Sequence, residues 1–120
     1  MDNDFLALKA AKIRRDILET VVAAGKGHIG GAFSCTDLLV ALYHGGLLRF
    51  DPRHPDWGGR DRFILSKGHA GIALFAVLSD LDVISRDELN TYCKDGSRLG
   101  GHPDRNVPGI EVDSGSLGHG

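Results

Sequence analysis

Residues 70–81 read Ala-Gly-Ile-Ala-Leu-Phe-Ala-Val-Leu-Ser-Asp-Leu, a run of helical length with no polar stripe. A helix lying on a protein surface keeps one polar side, whereas a helix that is apolar almost all round is buried on most of its sides. A chain of 120 residues has room for one domain and one modest core. The run therefore predicts a helix that the remaining elements must cover.

A covering element is visible upstream. Leu6, Ala10, Ile13, Ile17 and Val21 recur at spacings of three and four, one face of a helix over residues 5–24. Asp4 is placed to cap its start and Gly25 to stop it. A glycine-rich loop over Gly25–Gly31 follows, then Ser34-Cys35-Thr36-Asp37, which resembles a capping box opening a helix to about Tyr43. Residues 51–61 form a polar loop with two prolines. Arg62–Ser66 is a strand candidate that runs into Lys67-Gly68-His69 and the apolar helix. Ser85-Arg86-Asp87-Glu88 is a second capping box, for a short helix ending near Cys93. Beyond Asp95 the chain turns glycine-rich, with residues 110–112 alone resembling strand.

Composition narrows the function classes. Net charge is −2 with acids and bases interleaved, so no basic face recruits nucleic acid or an anionic membrane. The apolar runs are too short for a membrane span, and the acidic start Met1-Asp2-Asn3-Asp4 resembles no targeting peptide. Cys35 and Cys93 read as two buried thiols and not as a disulfide framework. The default expectation is a cytoplasmic protein.

The chemistry concentrates in four Gly-His pairs, at 27–28, 68–69, 101–102 and 118–119. With 17 glycines and six histidines, chance gives about one. Glycine permits close backbone approach and histidine carries a proton near neutral pH, so the pairs suggest loops converging on an anionic or proton-transferring ligand. Four unrelated turns are the plainer alternative. At 62–81 a helix beginning after Gly68 would aim backbone N–H groups at a phosphate, with His69 beside it. Gly115-Ser116-Leu117-Gly118-His119-Gly120 would form a second backbone nest. His28 and His102 would bind hydroxyls or move protons. No metal site is expected through these histidines, because none has a ligand spacing such as His-x-x-x-His. His44 reads as a helix-end histidine and His54 as a surface one. Arg98 and Arg105 are either contacts for a substrate phosphate or plain surface charge.

Four ordered segments carry a resemblance. They are Gly27-His28-Ile29-Gly30-Gly31, Asp61 to Ala70 (Asp-Arg-Phe-Ile-Leu-Ser-Lys-Gly-His-Ala), Gly96 to Pro103 (Gly-Ser-Arg-Leu-Gly-Gly-His-Pro) and Gly115 to Gly120. Together they resemble the start of the diphosphate-binding domain of transketolases, and most of all the separate N-terminal subunits of split bacterial transketolases. The resemblance implies an α/β fold, helix-rich with a partial parallel sheet, in which residues 1–120 are an incomplete diphosphate-binding domain. It implies transfer of a two-carbon ketol unit from a ketose to an aldose, with thiamine diphosphate as electron sink. By the same resemblance His28 contacts the sugar, His69 lies against the diphosphate and reacting centre, and His102 bonds the ketose hydroxyls. Gly115, Ser116 and Leu117 wrap the thiamine.

Two departures are visible: Ile29 stands where many full-length members have proline, and His119 where many have glutamine. The Mg²⁺ ligands of the family are expected beyond residue 120. The glutamate that activates the aminopyrimidine is expected on a partner, the C-terminal pyrimidine-binding subunit, giving a hetero-oligomer. The 120 residues alone are expected to be inactive. Two alternatives stand beside this reading. One is a non-catalytic interaction module that docks a pyrimidine-domain partner through the 70–81 helix and the first helix. The other is a related thiamine diphosphate enzyme, against which Gly101-His102-Pro103 argues.

Overall fold

The computed structural model describes residues 2–115. Helix α1 spans Asn3–Ala24, α2 Ile29–Tyr43, α3 Gly71–Asp80 and α4 Arg86–Leu89, and a 3-10 turn, Gly68–Ala70, leads into α3. The apolar run is the centre of the molecule. Ile72, Ala73, Phe75, Ala76, Val77 and Leu78 have no exposed surface. Helices α1 and α2 pack on α3 and on each other, and α4 closes a further side. Helix α1 buries Ala10, Ile13, Ile17 and Val21, the face that its spacing predicted. The 70–81 helix is therefore covered by its own chain, which removes it as a docking face.

Two local readings need correction. Asp2, not Asp4, caps α1: its side chain accepts from the Asp4 N–H at 2.9 Å, and Gly25 closes the helix in a left-handed conformation. More consequentially, α2 begins at Ile29, so Gly30 and Gly31 lie within the helix and not in a loop. The Ser34 hydroxyl does not cap; it turns back to the Gly31 carbonyl at 2.9 Å. Burial of Ala32, Thr36, Leu39 and Val40 extends the helix through the glycines despite their low propensity. Thr20 and Thr36, both buried, satisfy their hydroxyls on the carbonyl four residues back.

The partial sheet is not formed among the described residues. Arg62–Ser66 and residues 110–112 find no partner strand there, and a strand exists only by pairing. Residue Lys67 makes an isolated bridge. Segment 62–66 is nonetheless placed firmly. The Asp61 N–H donates to the Arg49 carbonyl across the base of the 49–61 loop, and the Asp61 carboxylate accepts from the Arg49 N–H. Tyr43 meets the edges of Phe50 and Phe63 at 5.2 and 5.9 Å, which pins the loop and the segment to the end of α2. Ser85 caps α4 as its capping box predicts, accepting from the Glu88 N–H at 3.0 Å. The helix is one turn long, and turns carry the chain on to Cys93. The radius of gyration, 13.3 Å, is that of a folded chain of this length, about 13.6 Å.

Candidate functional site

The sequence motifs meet at the N-terminal end of α3. Gly68 opens the 3-10 turn and donates its N–H to the Gly115 carbonyl at 2.7 Å. A Cβ on Gly68 would stand 2.6–2.9 Å from the backbone of Gly115, so only glycine lets these two strands of backbone touch. Three residues on, Gly71 faces Pro103: a Cβ there would lie 3.1 Å from the proline ring and 3.5 Å from the carbonyl carbon of His102. The Ser114 N–H donates to the Pro103 carbonyl at 3.3 Å, joining the 102–103 and 114–115 segments. The loops carrying the third and fourth motifs therefore both rest on the turn that carries the second.

The first motif reaches the same place from α2. His28 is the N-cap residue of that helix, but its side chain makes no capping bond and stands exposed. Its ring meets the half-buried ring of His69 edge-on, centroids 5.5 Å apart at 80°. Gly31, one turn into α2, lies against the same His69 ring, with its missing Cβ 3.5 Å from the ring carbon Cδ2. Gly27 is held at φ +140° over Val21 and Tyr92, where a Cβ would sit 2.9 and 3.3 Å from their side chains. That contact fixes where the loop delivers His28.

The predicted residues divide accordingly. His28 and His69 are brought into ring contact, and the backbone of His102 is packed beside them on Gly71 with its side chain exposed. Gly115 lies on Gly68, while Ser116, Leu117 and the Gly118-His119 pair fall outside the described residues. The Gly68 N–H itself is taken by the Gly115 carbonyl. Arg98 is occupied by the Glu88 carboxylate and the Asn106 carbonyl, so it is no phosphate contact. His54 pairs at the surface with Asp51, and His44 is buried at the end of α2 against Asp80 at 2.7 Å. Both agree with the sequence reading.

Sequence reasoning missed Lys67 and Ser34, whose side chains meet at 2.9 Å beside the His69 turn. The lysine was visible in its motif, but the serine looked spoken for as a cap. Cys35 and Cys93 are free thiols, each only half-buried. Burial pushes the Cys35 thiol up and outweighs the nearby Lys67 and Arg14, so it stays protonated at neutral pH and is no nucleophile. Among the described residues no group of three His, Cys, Asp or Glu is arranged to hold a metal ion, and no helix is long and apolar enough to cross a membrane.

A helical domain with glycine-backed imidazoles gathered at one helix start is a candidate site for a phosphate-bearing cofactor. Residues 7–120 match the family described as transketolase, thiamine diphosphate binding domain, and the chain belongs to it. It is 45% identical over its whole length to an apulose-4-phosphate transketolase subunit of Phocaeicola vulgatus, covering 42% of that protein. It is 42% identical over 113 residues to a 6-deoxy-6-sulfo-D-fructose transketolase subunit of a Clostridium species, covering 93% of this chain and 41% of that one. Among solved structures it is similar to the transketolase of Leishmania mexicana (TM-score 0.88, 33% identity, 96% of this chain and 17% of that one). It is likewise similar to that of Campylobacter jejuni (TM-score 0.87, 32% identity, 100% and 19%). The chain thus spans about two fifths of the length of the curated subunits it matches.

Proposed function

We propose that this sequence supplies the diphosphate side of a two-chain transketolase, which moves a two-carbon ketol unit from a ketose to an aldose. One observation carries the reading: His28 and His69 meet on a turn against which the loops of His102 and Gly115 are both packed. The residues present fit thiamine diphosphate. What supports the fit is that Gly68, held against the Gly115 backbone where a Cβ would strike it, opens the turn that carries His69, with the His28 ring in contact with the His69 ring. When bound, the cofactor supplies the electron sink for breaking a carbon–carbon bond. In this reading His69 lies against the diphosphate, and His28 and His102 hold substrate hydroxyls and move protons at their ring nitrogens. Gly115, Ser116 and Leu117 line the thiamine, and Mg²⁺ joins the diphosphate through ligands outside residues 1–120.

The partner in this reading is a pyrimidine-binding subunit, and the substrate a sugar or sugar phosphate; the names of the relatives support a second subunit and a sugar substrate. The reading places the protein in the cytoplasm as one half of a hetero-oligomer. It also makes residues 62–66 one strand of a parallel sheet that the rest of the domain completes.

The test uses the complete protein carrying this sequence, mixed with a pyrimidine-domain subunit, thiamine diphosphate and Mg²⁺. Ketol transfer is expected, and His69→Ala or His102→Ala is expected to lower it by about 10²–10⁴-fold. Full transfer in the His69 variant would sink the assignment. A second reading, a non-catalytic docking module, draws support from Leu8, Leu18 and Val22, which stand exposed on α1. A stable complex with the partner that transfers no ketol unit would favour it.

A further inference from the structure

We propose that Lys67 and Ser34 form a clamp that sets the spacing of the His28 and His69 imidazoles. Its catalytic meaning rests on the reading of those histidines given above; its geometry does not.

Lys67 is the residue before the 3-10 turn, and its carbonyl accepts the Ala70 N–H at 3.0 Å, which ties its backbone to the start of that turn. Its side chain leaves the turn and crosses to α2, where Nζ donates to Ser34 Oγ at 2.9 Å. The Ser34 hydroxyl in turn donates to the Gly31 carbonyl at 2.9 Å. A hydroxyl has one proton to give and lone pairs to receive, so both bonds are made at once by the same oxygen. Gly31 is the residue on which the His69 ring lies, and it sits three positions after His28 on the same helix. The contacts close a ring: Lys67 to His69 along the chain, His69 to Gly31 by packing, Gly31 to Ser34 and Ser34 to Lys67 by hydrogen bonds.

A lysine would ordinarily prefer a carboxylate. The acid one turn along α2 from Ser34 is Asp37, and it is taken: Arg14 donates to its Oδ1 at 2.9 Å and to the Phe33 carbonyl at 2.9 Å. The ammonium is thereby left to the hydroxyl, in a charge-assisted bond whose direction is fixed. Ser34 is exposed and the bond lies at the surface, so the clamp contributes little to folding. Its effect falls on the distance between two rings carried by different elements, one on the turn and one at the head of α2. Lys67 is on this account a positioning residue.

The experiment is solution NMR of the complete protein carrying this sequence, with labelled histidines, following the inter-ring nuclear Overhauser cross-peak between His28 and His69. Lys67→Met and Ser34→Ala are expected to lose the cross-peak while keeping wild-type helicity by circular dichroism. Lys67→Arg and Ser34→Thr, which keep a donor and a hydroxyl, are expected to retain it. A cross-peak of undiminished intensity in both Lys67→Met and Ser34→Ala overturns the clamp. Should Lys67→Met fail to fold, Ser34→Ala, which removes one exposed hydroxyl, decides alone. No ketol transfer enters this measurement, so a failed transferase assay and a failed clamp are told apart.

Discussion

Glycines in this chain are not equivalent, and the difference is measurable. At Gly68 an added methyl would strike the oxygen, nitrogen and Cα of Gly115 at 2.6, 2.7 and 2.9 Å, atoms that cannot rotate away. Gly68→Ala must therefore push the two backbones apart and is expected to cost about 1–3 kcal/mol in urea unfolding, as overpacking does elsewhere. Gly30 is the internal control. It lies in α2, and among the described residues nothing stands within 4 Å of where its Cβ would be, so Gly30→Ala is expected to raise stability by about 0.5–1 kcal/mol. Equal effects at the two sites would refute the idea that Gly68 is held by contact. Both residues stand in motifs that the sequence makes conspicuous. What it does not reveal is which glycine touches something, because touching is decided by segments 47 positions away in the chain, such as Gly115 on Gly68.

Elements here are held at their ends. Asp80, at the last turn of α3, binds Lys9 and Lys12 of α1 at 3.0 and 2.7 Å and His44 of α2 at 2.7 Å. Asp16 joins Lys12 to Arg86 of α4. Burial opposes ionisation of Asp80, but the bonds from Lys12, Lys9 and His44 outweigh it and hold the carboxyl at about 2. Burial pushes the His44 imidazole below its ordinary value despite Asp80, with Lys9 and Lys12 acting in the same direction as burial. Neutral His44 donates from Nε2 to Asp80, and its buried Nδ1 finds no partner among the described residues, so a second proton would be stranded there.

The sign of the pH dependence follows. The unfolded histidine takes up a proton near 6.5, whereas the folded one resists it. The stability that His44 contributes is complete above that pH and is lost as pH falls through the depressed folded value. Asp80 adds stability that is complete above its ordinary value of 3.8 and is lost as pH falls from there through about 2. Urea midpoints are expected to fall between pH 8 and pH 5, and His44→Gln is expected to flatten that slope; an unchanged slope would contradict it. At α4, Ser85→Ala is expected to cost about 1 kcal/mol by loss of its cap. Ser85 and the apolar α3 were legible because a cap and an unbroken apolar run act locally. The start of α2 was not. Ser34 has the look of a cap, but packing of Ala32 against the core makes it an interior residue.

At the scale of the molecule, regular structure among the described residues is confined to the helices and the 3-10 turn, and residues 95–115 hold to them through turns, single hydrogen bonds and two ion pairs, Arg98–Glu88 and Arg60–Glu111. No pattern of alternation or period marks such a segment, which explains why strand at 110–112 was the nearest sequence reading. Arg60 grips Glu111 with two bonds of 2.9 and 2.8 Å, and its Nη1 donates to the Asp56 and Trp57 carbonyls. This ties the loop before segment 62–66 to the loop after Pro108, and so steadies the strip of chain that lies on Gly68 and Gly71. Opening of that strip needs only these contacts to break, whereas exposing α3 needs the whole core to open. Native-state hydrogen exchange separates the two. Amides of Leu74–Leu78 are expected to exchange only by global unfolding, and those of Gly68, bonded to the strip at Gly115, and Ser114, bonded within it to Pro103, by a cheaper local opening. Glu111→Gln removes the charge from the pair and is expected to speed exchange at Gly68 and Ser114 while leaving Leu74–Leu78 unchanged. Acceleration of both sets together would mean that the strip and the core open as one unit, and that the site is no more mobile than the helix on which it is built.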